Sequence, residues 1–289
     1  MAKWFDRIVA CWCWFASLAV LSVVLGLVLY VVVRGGSTVG PGLLFGNVPA
    51  GDAMLGHRRV FDGIWPALVG TILLVLGATL IAAPLGVASG IWLAEYGHGR
   101  LGRCFSAASS VLAGIPSIIM GLFGFGLILL LRHTLAPAAN TCLLLSMVCL
   151  ALLVLPYLIR ATETALTAIP EPVRLLGPSL GLDQWQSIWH VHLPAARRGI
   201  QSGIVLAVSR IAEDTAVILM TGVVASAGLP QSLTDHYEAL PFSIYYLAAE
   251  HRNAAELDRA FGAALVLLCL STFLLTLAYG LSRLRRRDP

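Results

Sequence analysis

The sequence predicts an all-α integral membrane protein, and three observations lead to this fold class. Hydrophobic residues make up 58% of the 289 positions and charged residues only 12%, against about a quarter in soluble domains. The apolar residues lie in long runs, each near the ~20 residues with which a helix crosses a bilayer. The basic residues between these runs are unequally divided between alternate connections. We therefore expect about six transmembrane helices.

Six apolar segments are the candidate spans: 8–33, 66–93, 105–131, 139–160, 200–224 and 260–282. The first is far longer than the roughly 7–15 apolar residues of a secretion signal, so we interpret it as a retained anchor. With the glycine-rich connection that follows, it forms an N-terminal unit at 1–63. A transmembrane domain at 64–289 follows, and it includes a long polar loop at 162–199.

The basic residues set the expected orientation. With the N-terminus inside, eleven Lys and Arg residues face the cytoplasm and six face outside, which places both termini in the cytoplasm. The cytoplasmic set is Lys3, Arg7, Arg100, Arg103, Arg174, Arg197, Arg198, Arg283, Arg285, Arg286 and Arg287. The outer set is Arg34, Arg58, Arg59, Arg132, Arg252 and Arg259.

Several function classes lack the residues they need. The single lysine is Lys3, so the chain has no G-x-x-x-x-G-K-[ST] loop and is not expected to hold a Walker-type ATP site. Cys11 and Cys13 have no further Cys or His pair nearby to complete a zinc site. A net charge of +4 is too modest to favour nucleic acid as a partner. We expect no catalytic residues, no metal and no cofactor.

The fifth apolar segment contains an unusual charged cluster. In AVSRIAEDTAVILMTG, residues 207–222, Arg210 is followed by Glu213 and Asp214. Each such side chain costs roughly 2.5–3.5 kcal/mol at mid-membrane. Helical spacing lets the three share one face, and Arg160 has Glu163 at the same i+3 position. These groups either serve a polar solute or neutralise one another at a helix contact. Glu95, at the inner end of the second span, is expected to be a solvated end charge.

The long polar loop predicts two short helices around a glycine. Its sequence, IPEPVRLLGPSLGLDQWQSIWHVHLPAARRGI, covers residues 169–200. Gly181 permits a turn, Asp183 is a candidate cap for the second helix, and Leu193-Pro194 is expected to end that helix. Such a unit either docks in a groove of another protein or merely connects two spans.

This loop resembles the EAA loop of the permease subunits of binding-protein-dependent ABC importers, the MetI-like superfamily. The register of that motif falls on Leu175, Leu176, Gly177, Gly181, Val191, Leu193 and Pro194. The glycine at 181 and the Leu-Pro ending match at the right spacing. The start departs from the pattern, because Leu175 occupies the acidic position and Pro178 interrupts the first helix. The resemblance implies that the loop couples the chain to a separate ATPase.

Within that superfamily the chain resembles the phosphate-specific transport permeases, in particular their A-type subunit. The segments that carry the resemblance are DGIWPALVGTILLV (62–75), APLGVASGIWLAEYG (83–97), LAGIPSIIMGLFGF (112–125), LPYLIRATETAL (155–166) and AVSRIAEDTAVILMTG (207–222). Where the family has S-R-x-x-G-E-T-A-P, this chain keeps Arg210 and Thr215 but has Glu213 at the glycine, Asp214 at the glutamate and Val217 at the proline.

The resemblance implies a bacterial inner-membrane permease that forms half of a phosphate pathway, without chemistry of its own. Its expected partners are a C-type permease, two ATP-binding subunits, a periplasmic phosphate-binding protein and membrane lipid. A planar guanidinium binds phosphate oxygens bidentately, so Arg160 and Arg210 are the pathway candidates, with Glu163, Glu213, Asp214 and Thr215 beside them. A carboxylate accepts a hydrogen bond from protonated phosphate but repels sulfate, which carries no proton.

Two alternatives to this function remain open. A permease for molybdate, tungstate or sulfate would share the architecture and some of the motifs. A membrane-embedded enzyme or a respiratory-complex subunit is more remote, since the sequence shows none of the catalytic or cofactor clusters that such proteins need.

Overall fold

The structure, a computed structural model, describes residues 2–54, 58, 60–134 and 137–284. For residues 2–5 and 281–284 it describes the backbone only. Arg59 and the tail arginines 285–287 of the expected orientation, together with the side chains of Lys3 and Arg283, lie outside this description. The regular secondary structure of the described residues is helical apart from one isolated bridge between Val223 and Tyr237.

The helices are α1 (Ala2–Gly36), α2 (Pro41–Phe45), α3 (Ala50–Met54), α4 (Trp65–Glu95), α5 (Gly99–Ala113), α6 (Ser117–Thr134), α7 (Leu143–Thr167), α8 (Glu171–Arg174), α9 (Leu176–Ser179), α10 (Gln184–Ser187), α11 (Leu193–Glu213), α12 (Ala216–Thr221), α13 (Leu240–Glu250) and α14 (Ala254–Leu284). A π-helical turn at Ile188–His192 joins α10 to α11.

Five of the described helices are long and apolar enough to span a membrane: α1, α4, α6, α7 and α14. All-α membrane architecture is therefore confirmed, while the count of six spans and the side of each terminus stay predictions. Two predicted segments are divided. The third breaks at 114–116, where Pro116 has no N–H to continue the helix. The fifth ends as a continuous helix at Glu213.

The core is built on α4 and α7, which run parallel to each other. Gly86 lies against Leu158 and, one turn further along both helices, Gly90 lies against Thr162. Because glycine has no side chain, the two helix backbones approach closely along this line, as is typical of membrane helix interfaces. The apolar residues between them, such as Leu74 and Leu150, are almost completely buried. Several of the other helices pack against this pair.

Replacing Gly90 by alanine is expected to destabilise the packing of α4 against α7. The added methyl group would lie 2.5 Å from the Cβ of Thr162 and 2.8 Å from the carbonyl oxygen of Ile159. Overpacking of this kind costs about 1–3 kcal/mol, and thermal unfolding in detergent measures it. The same change at Gly26 in α1, where nothing lies within 4 Å, is the matched control and should not lower the melting temperature.

Helix α11 packs antiparallel to α7. Gly203 lies on Ala161, and Gly199, one turn earlier in α11, lies on Ala165, one turn later in α7. Together with α4, these helices bury a second apolar cluster around Leu166, where the long polar loop leaves the membrane domain. The loop is thus anchored at both of its ends to neighbouring helices.

After α12 the chain folds back over the start of α7. Gly222 begins this return with φ of 157°, and a Cβ there would lie 2.8 Å from the backbone of Cys142. The return segment, residues 222–239, and the last residue of α12 supply carbonyl groups to the first N–H groups of α7. The bonds are Cys142 N to Thr221 O (2.9 Å), Leu143 N to Asp235 O (3.0 Å) and Leu144 N to Leu233 O (2.8 Å). The beginning of α7 is therefore capped by backbone.

The N-terminal helix α1 contacts the rest of the protein near its end. Arg34 forms an ion pair with Asp258 at 3.2 Å, and Tyr30 packs edge-on against Phe261 of α14. Its middle is exposed, with large apolar side chains such as Leu21 facing outward. This exposure agrees with a helix surrounded by lipid, although the division at residue 63 stays a prediction.

Candidate functional site

Arg160 is held in place by groups of two helices. In α7, its Nη1 donates to Glu163 Oε2 at 2.8 Å, which is the predicted i+3 pair. In α5, Ser106 O and Ser110 Oγ accept from its Nη2 at 3.0 and 2.5 Å. The side chain remains 40% exposed. A guanidinium has five N–H groups, so these three contacts leave two for an anion.

Arg210 occupies the last turn of α11 and is exposed. Within the described part of the chain it has no ion pair, so its charge is not neutralised by the two acids that follow it. Glu213 is also exposed, and its Oε1 accepts from Ser209 Oγ at 3.2 Å. Arg210 can therefore meet a solute or a partner subunit with its whole donor set.

The expectation that Arg210, Glu213 and Asp214 share one helix face is wrong for Asp214. Helix α11 ends at Glu213, and Asp214 has extended backbone angles with ψ of 117°. Its Oδ1 accepts from Val217 N at 2.9 Å and so caps the short helix α12. An Asp side chain competes with helix continuation in this way. Thr215, partly exposed, lies at the same break.

The two arginines lie at different depths. Because α7 and α11 are antiparallel and Gly203 faces Ala161, Arg160 is level with about residue 203 of α11. Arg210 lies seven residues further on, and seven residues of α-helix rise roughly 10 Å. The pair therefore offers two successive cationic positions across the membrane domain, rather than one shared site.

The long polar loop, here called the coupling loop (162–199), forms the predicted helix–glycine–helix unit. Pro178 has no N–H for the carbonyl of Arg174, where α8 ends. Gly181 makes the turn with φ of 74°. Asp183 caps α10 by accepting from Gln186 N at 2.6 Å, as predicted. Gly177 is buried against Ser187, so the two arms of the loop touch there.

The predicted end of the second loop helix at Leu193-Pro194 is wrong. The π-helical turn shifts the hydrogen bonding so that Leu193 N donates to Ile188 O. Pro194, which has no donor, follows this wider turn, and α11 continues to Glu213. Val191 and Leu193 are half-buried and Pro194 is exposed. The second arm of the loop is thus continuous with the helix that carries Arg210.

The exposed surface of the coupling loop includes several large apolar side chains among its polar ones. Trp185 and Trp189 contact each other edge-to-face and are more than half exposed. Three leucines are similarly exposed: Leu175, Leu176 and Leu180. Leu175 stands at the acidic position of the EAA motif, so this loop presents a hydrophobic side chain there. Exposed apolar patches of this kind mark contact surfaces for other proteins.

Glu95 is not the solvated end charge that the sequence suggests. Its side chain is only 6% exposed, and its Oε1 accepts from Arg174 Nη2 at 2.9 Å. The same oxygen lies 3.2 Å from His192 Nδ1. The partners are 79 and 97 residues away in sequence, so no local pattern could reveal them. The sequence signal that could have indicated this cluster is an acid at the end of an apolar span together with basic residues in the next long loop.

A polar crevice of about 290 Å³ lies at the opposite end of the membrane domain, among α13, α14 and the return segment. Arg252, Glu256 and Arg259 line it, together with Glu238. Burial raises the pKa of the Glu238 carboxyl, while a hydrogen bond from Gly228 N at 2.9 Å opposes this rise. This end and the coupling loop therefore present polar groups on opposite sides of the helices.

A family model described as "Binding-protein-dependent transport system inner membrane component" matches residues 86–287. The chain belongs to this family. The match covers α7, the coupling loop and α11 together, so it includes both arginines and the loop motif. Membership confirms the predicted resemblance to the MetI-like permeases, and with five apolar helices it makes the chain a multi-pass protein of the inner membrane.

Two members of the family are similar in sequence to this chain over most of its length. "Phosphate transport system permease protein PstA 1" of Mycobacterium tuberculosis is 35% identical over 207 residues, 71% of this chain and 66% of that protein. The corresponding PstA of Haemophilus influenzae is 35% identical over 216 residues, 73% of this chain and 74% of that protein. The chain thus spans about two thirds to three quarters of the length of these family members.

A solved structure has a similar fold. The structure "Inward facing conformations of the MetNI methionine ABC transporter" superposes with a TM-score of 0.56 and covers 76% of this chain and 93% of that chain. At 18% identity, this likeness concerns the helical architecture alone.

Proposed function

We propose that this family member is the permease subunit of an ATP-driven phosphate importer and forms half of the translocation pathway. The observation that carries the proposal is the arrangement of its two arginines. Arg160 keeps two N–H groups free at a fixed position. Arg210 stands roughly 10 Å further along and has no carboxylate partner among the described residues. A dehydrated oxyanion needs such strong donors, and the PstA designations of the relatives favour phosphate.

The other parts of the importer are proposed from family membership. A C-type permease completes the pathway, two ATP-binding subunits dock on the coupling loops, and a periplasmic binding protein delivers phosphate. Because the chain has no lysine for a phosphate loop, ATP is bound by the separate subunits. Both termini face the cytoplasm, which places the coupling loop inside and the crevice of Glu238 and Arg259 outside. Movement of the loop then switches the access of the pathway.

Reconstitution of the complete importer in lipid vesicles tests this proposal. We expect accumulation of radiolabelled phosphate that requires both ATP and the binding protein. Competition with molybdate, tungstate and sulfate distinguishes the first alternative, because a permease for one of those anions would accumulate it and leave phosphate outside. An activity that persists without any ATPase subunit would instead indicate an enzyme or respiratory subunit.

We further propose that Glu213 contributes to the choice between phosphate and sulfate. Glu163 is occupied by Arg160 and Asp214 by Val217 N, whereas Glu213 is exposed next to the free Arg210. A protonated phosphate oxygen donates a hydrogen bond to this carboxylate, while sulfate only accepts and is repelled.

Glu213→Gln is expected to make sulfate a better competitor by roughly tenfold, or ~1.4 kcal/mol. Asp214→Asn is the comparison, because asparagine caps a helix as well as aspartate does, and it should change selectivity less. Uptake of labelled phosphate at increasing sulfate concentration measures the effect. Unchanged competition in the double variant Glu213→Gln/Asp214→Asn would show that neither carboxylate sets selectivity.

A further inference from the structure

A buried charged cluster lies where the coupling loop meets the inner end of α4. It consists of Glu95, Arg174 and His192, and we call it the Glu95 cluster. One carboxylate oxygen, Glu95 Oε1, is 2.9 Å from Arg174 Nη2 and 3.2 Å from His192 Nδ1. The side chains of Glu95 and His192 are 6% and 8% exposed. A buried carboxylate is stable only with such partners.

The cluster joins three separate parts of the chain. Glu95 ends α4, Arg174 ends α8 in the first arm of the loop, and His192 lies in the π-helical turn of the second arm. Two further bonds strengthen the junction. Arg174 Nη2 also donates to Leu166 O of α7 at 3.2 Å, and Gln184 Nε2 donates to the carbonyl oxygen of Glu95 at 3.4 Å. Both arms of the loop therefore meet at one residue of α4.

The chain connectivity determines which helices this junction can link to movement of the loop. The loop is covalently continuous with α7 on one side and, through the π-helical turn, with α11 on the other. Its attachment to α4 is noncovalent. The apolar contact between them leaves an open groove of about 480 Å³, which is lined by Ile91 and Trp92 of α4 and by Trp185 and Ile188 of the loop. The charged contacts are thus the polar connection between the loop and α4, beside the apolar cluster around Leu166 that both share.

We propose that the Glu95 cluster transmits movement of the coupling loop to α4, so that Glu95 is a positioning residue for coupling ATP hydrolysis to transport. The proposal rests on the proposed function for the transported anion and on family membership for the ATPase. When the partner ATPase displaces the exposed face of the loop, the cluster moves α4. Helix α7, which carries Arg160, is continuous with the loop, and the glycine contacts at Gly86 and Gly90 hold α4 against it. Without the cluster, α4 is linked to the loop only by its packing on α7 and α11, and it follows the movement less completely.

The test compares Glu95→Gln with Glu171→Gln in the complete reconstituted importer. Glu171 is an exposed acid in the same loop, so the control makes the same chemical change outside the cluster. The quantity measured is the number of phosphate ions taken up per ATP hydrolysed. For Glu95→Gln we expect this ratio to fall about tenfold while ATP hydrolysis stays within about twofold of the parent, since a coupling free energy is lost and the ATPase sites are untouched. Glu171→Gln should keep the parental ratio.

An unchanged ratio in Glu95→Gln would overturn the proposal. Uptake and hydrolysis falling together by one factor would also overturn it, because the cluster would then serve assembly or ATPase docking alone. If Glu95→Gln does not assemble, Arg174→Lys gives the decision. Lysine keeps the charge but lacks the planar fork, so the ratio should fall by about threefold, and a parental ratio would contradict the proposal. Failure of the parent importer to take up phosphate would refute the proposed substrate only, and the ratio is then measured with the oxyanion that it does transport.

Discussion

Replacing Arg160 and Arg210 together by glutamine is expected to lower ATP-driven phosphate uptake at least about a hundredfold, which corresponds to ~2.7 kcal/mol. A hydrogen bond to a charged group contributes about 1.5–3 kcal/mol, and the double variant removes the charge at both positions of the pathway. Initial uptake rates in reconstituted vesicles, normalised to the amount of assembled complex, measure this loss. The variant should still assemble, because both side chains are substantially exposed.

The single lysine variants separate the two positions. Arg160→Lys keeps the charge but cannot reach Glu163, Ser106 and Ser110 at once, so we expect a loss of about tenfold. Arg210 has no such contacts to lose, and Arg210→Lys should cost less. Arg103→Gln is the matched control, because among the described residues this exposed arginine of α5 bonds only within its own helix, from Nε to Gly99 O. Uptake that survives the double glutamine variant would make both arginines structural and leave phosphate supported by family likeness alone.

Gly177→Val is expected to separate the two arms of the coupling loop. A Cβ at this buried position would collide with Ser187 Oγ and lie 2.8 Å from Ser187 Cβ, and valine adds two more methyl groups. The arms must move apart, so the exposed surface formed by Leu175 and Trp185 loses its shape. We expect association with the ATPase subunits to weaken by more than about tenfold, or ~1.4 kcal/mol. Co-purification at graded concentrations of the ATPase measures this change.

Gly181→Asn is the control for Gly177→Val within the same loop. Gly181 has φ of 74° and nothing lies within 4 Å of its added Cβ, and asparagine tolerates this left-handed conformation better than other side chains. The ATPase should therefore bind this variant nearly as well as the parent. Equal ATPase binding by Gly177→Val and the parent would show that the contact between the arms does not shape the docking surface.

Local patterns in the sequence were sufficient for the helical membrane class, the Arg160–Glu163 pair and the Asp183 cap. Each of these depends on residues within one helix or one turn, where spacing fixes geometry. The break at Asp214 and the continuation through Pro194 depend on competing backbone hydrogen bonds. An aspartate favours a cap over a helix interior, but it does not by itself show where a helix breaks, and a π-helical turn has no characteristic composition.

The Glu95 cluster shows a different limit of sequence reasoning. A charged residue at the end of an apolar span is usually solvated, and the basic residues nearest to Glu95 in sequence, His98 and Arg100, are not the ones that the structure brings to it. Its burial arises because α4 packs along α7 and the loop folds over their common end. That arrangement brings Arg174 and His192 to one oxygen, and only the tertiary fold contains this information.

The backbone cap on α7 limits where an anion can bind along the membrane domain. The start of a helix attracts negative charge through its free amides, but here Thr221, Leu233 and Asp235 already occupy the first three. An anion at that end of α7 therefore finds no free backbone amides there, and side chains further in are left to provide its hydrogen-bond donors.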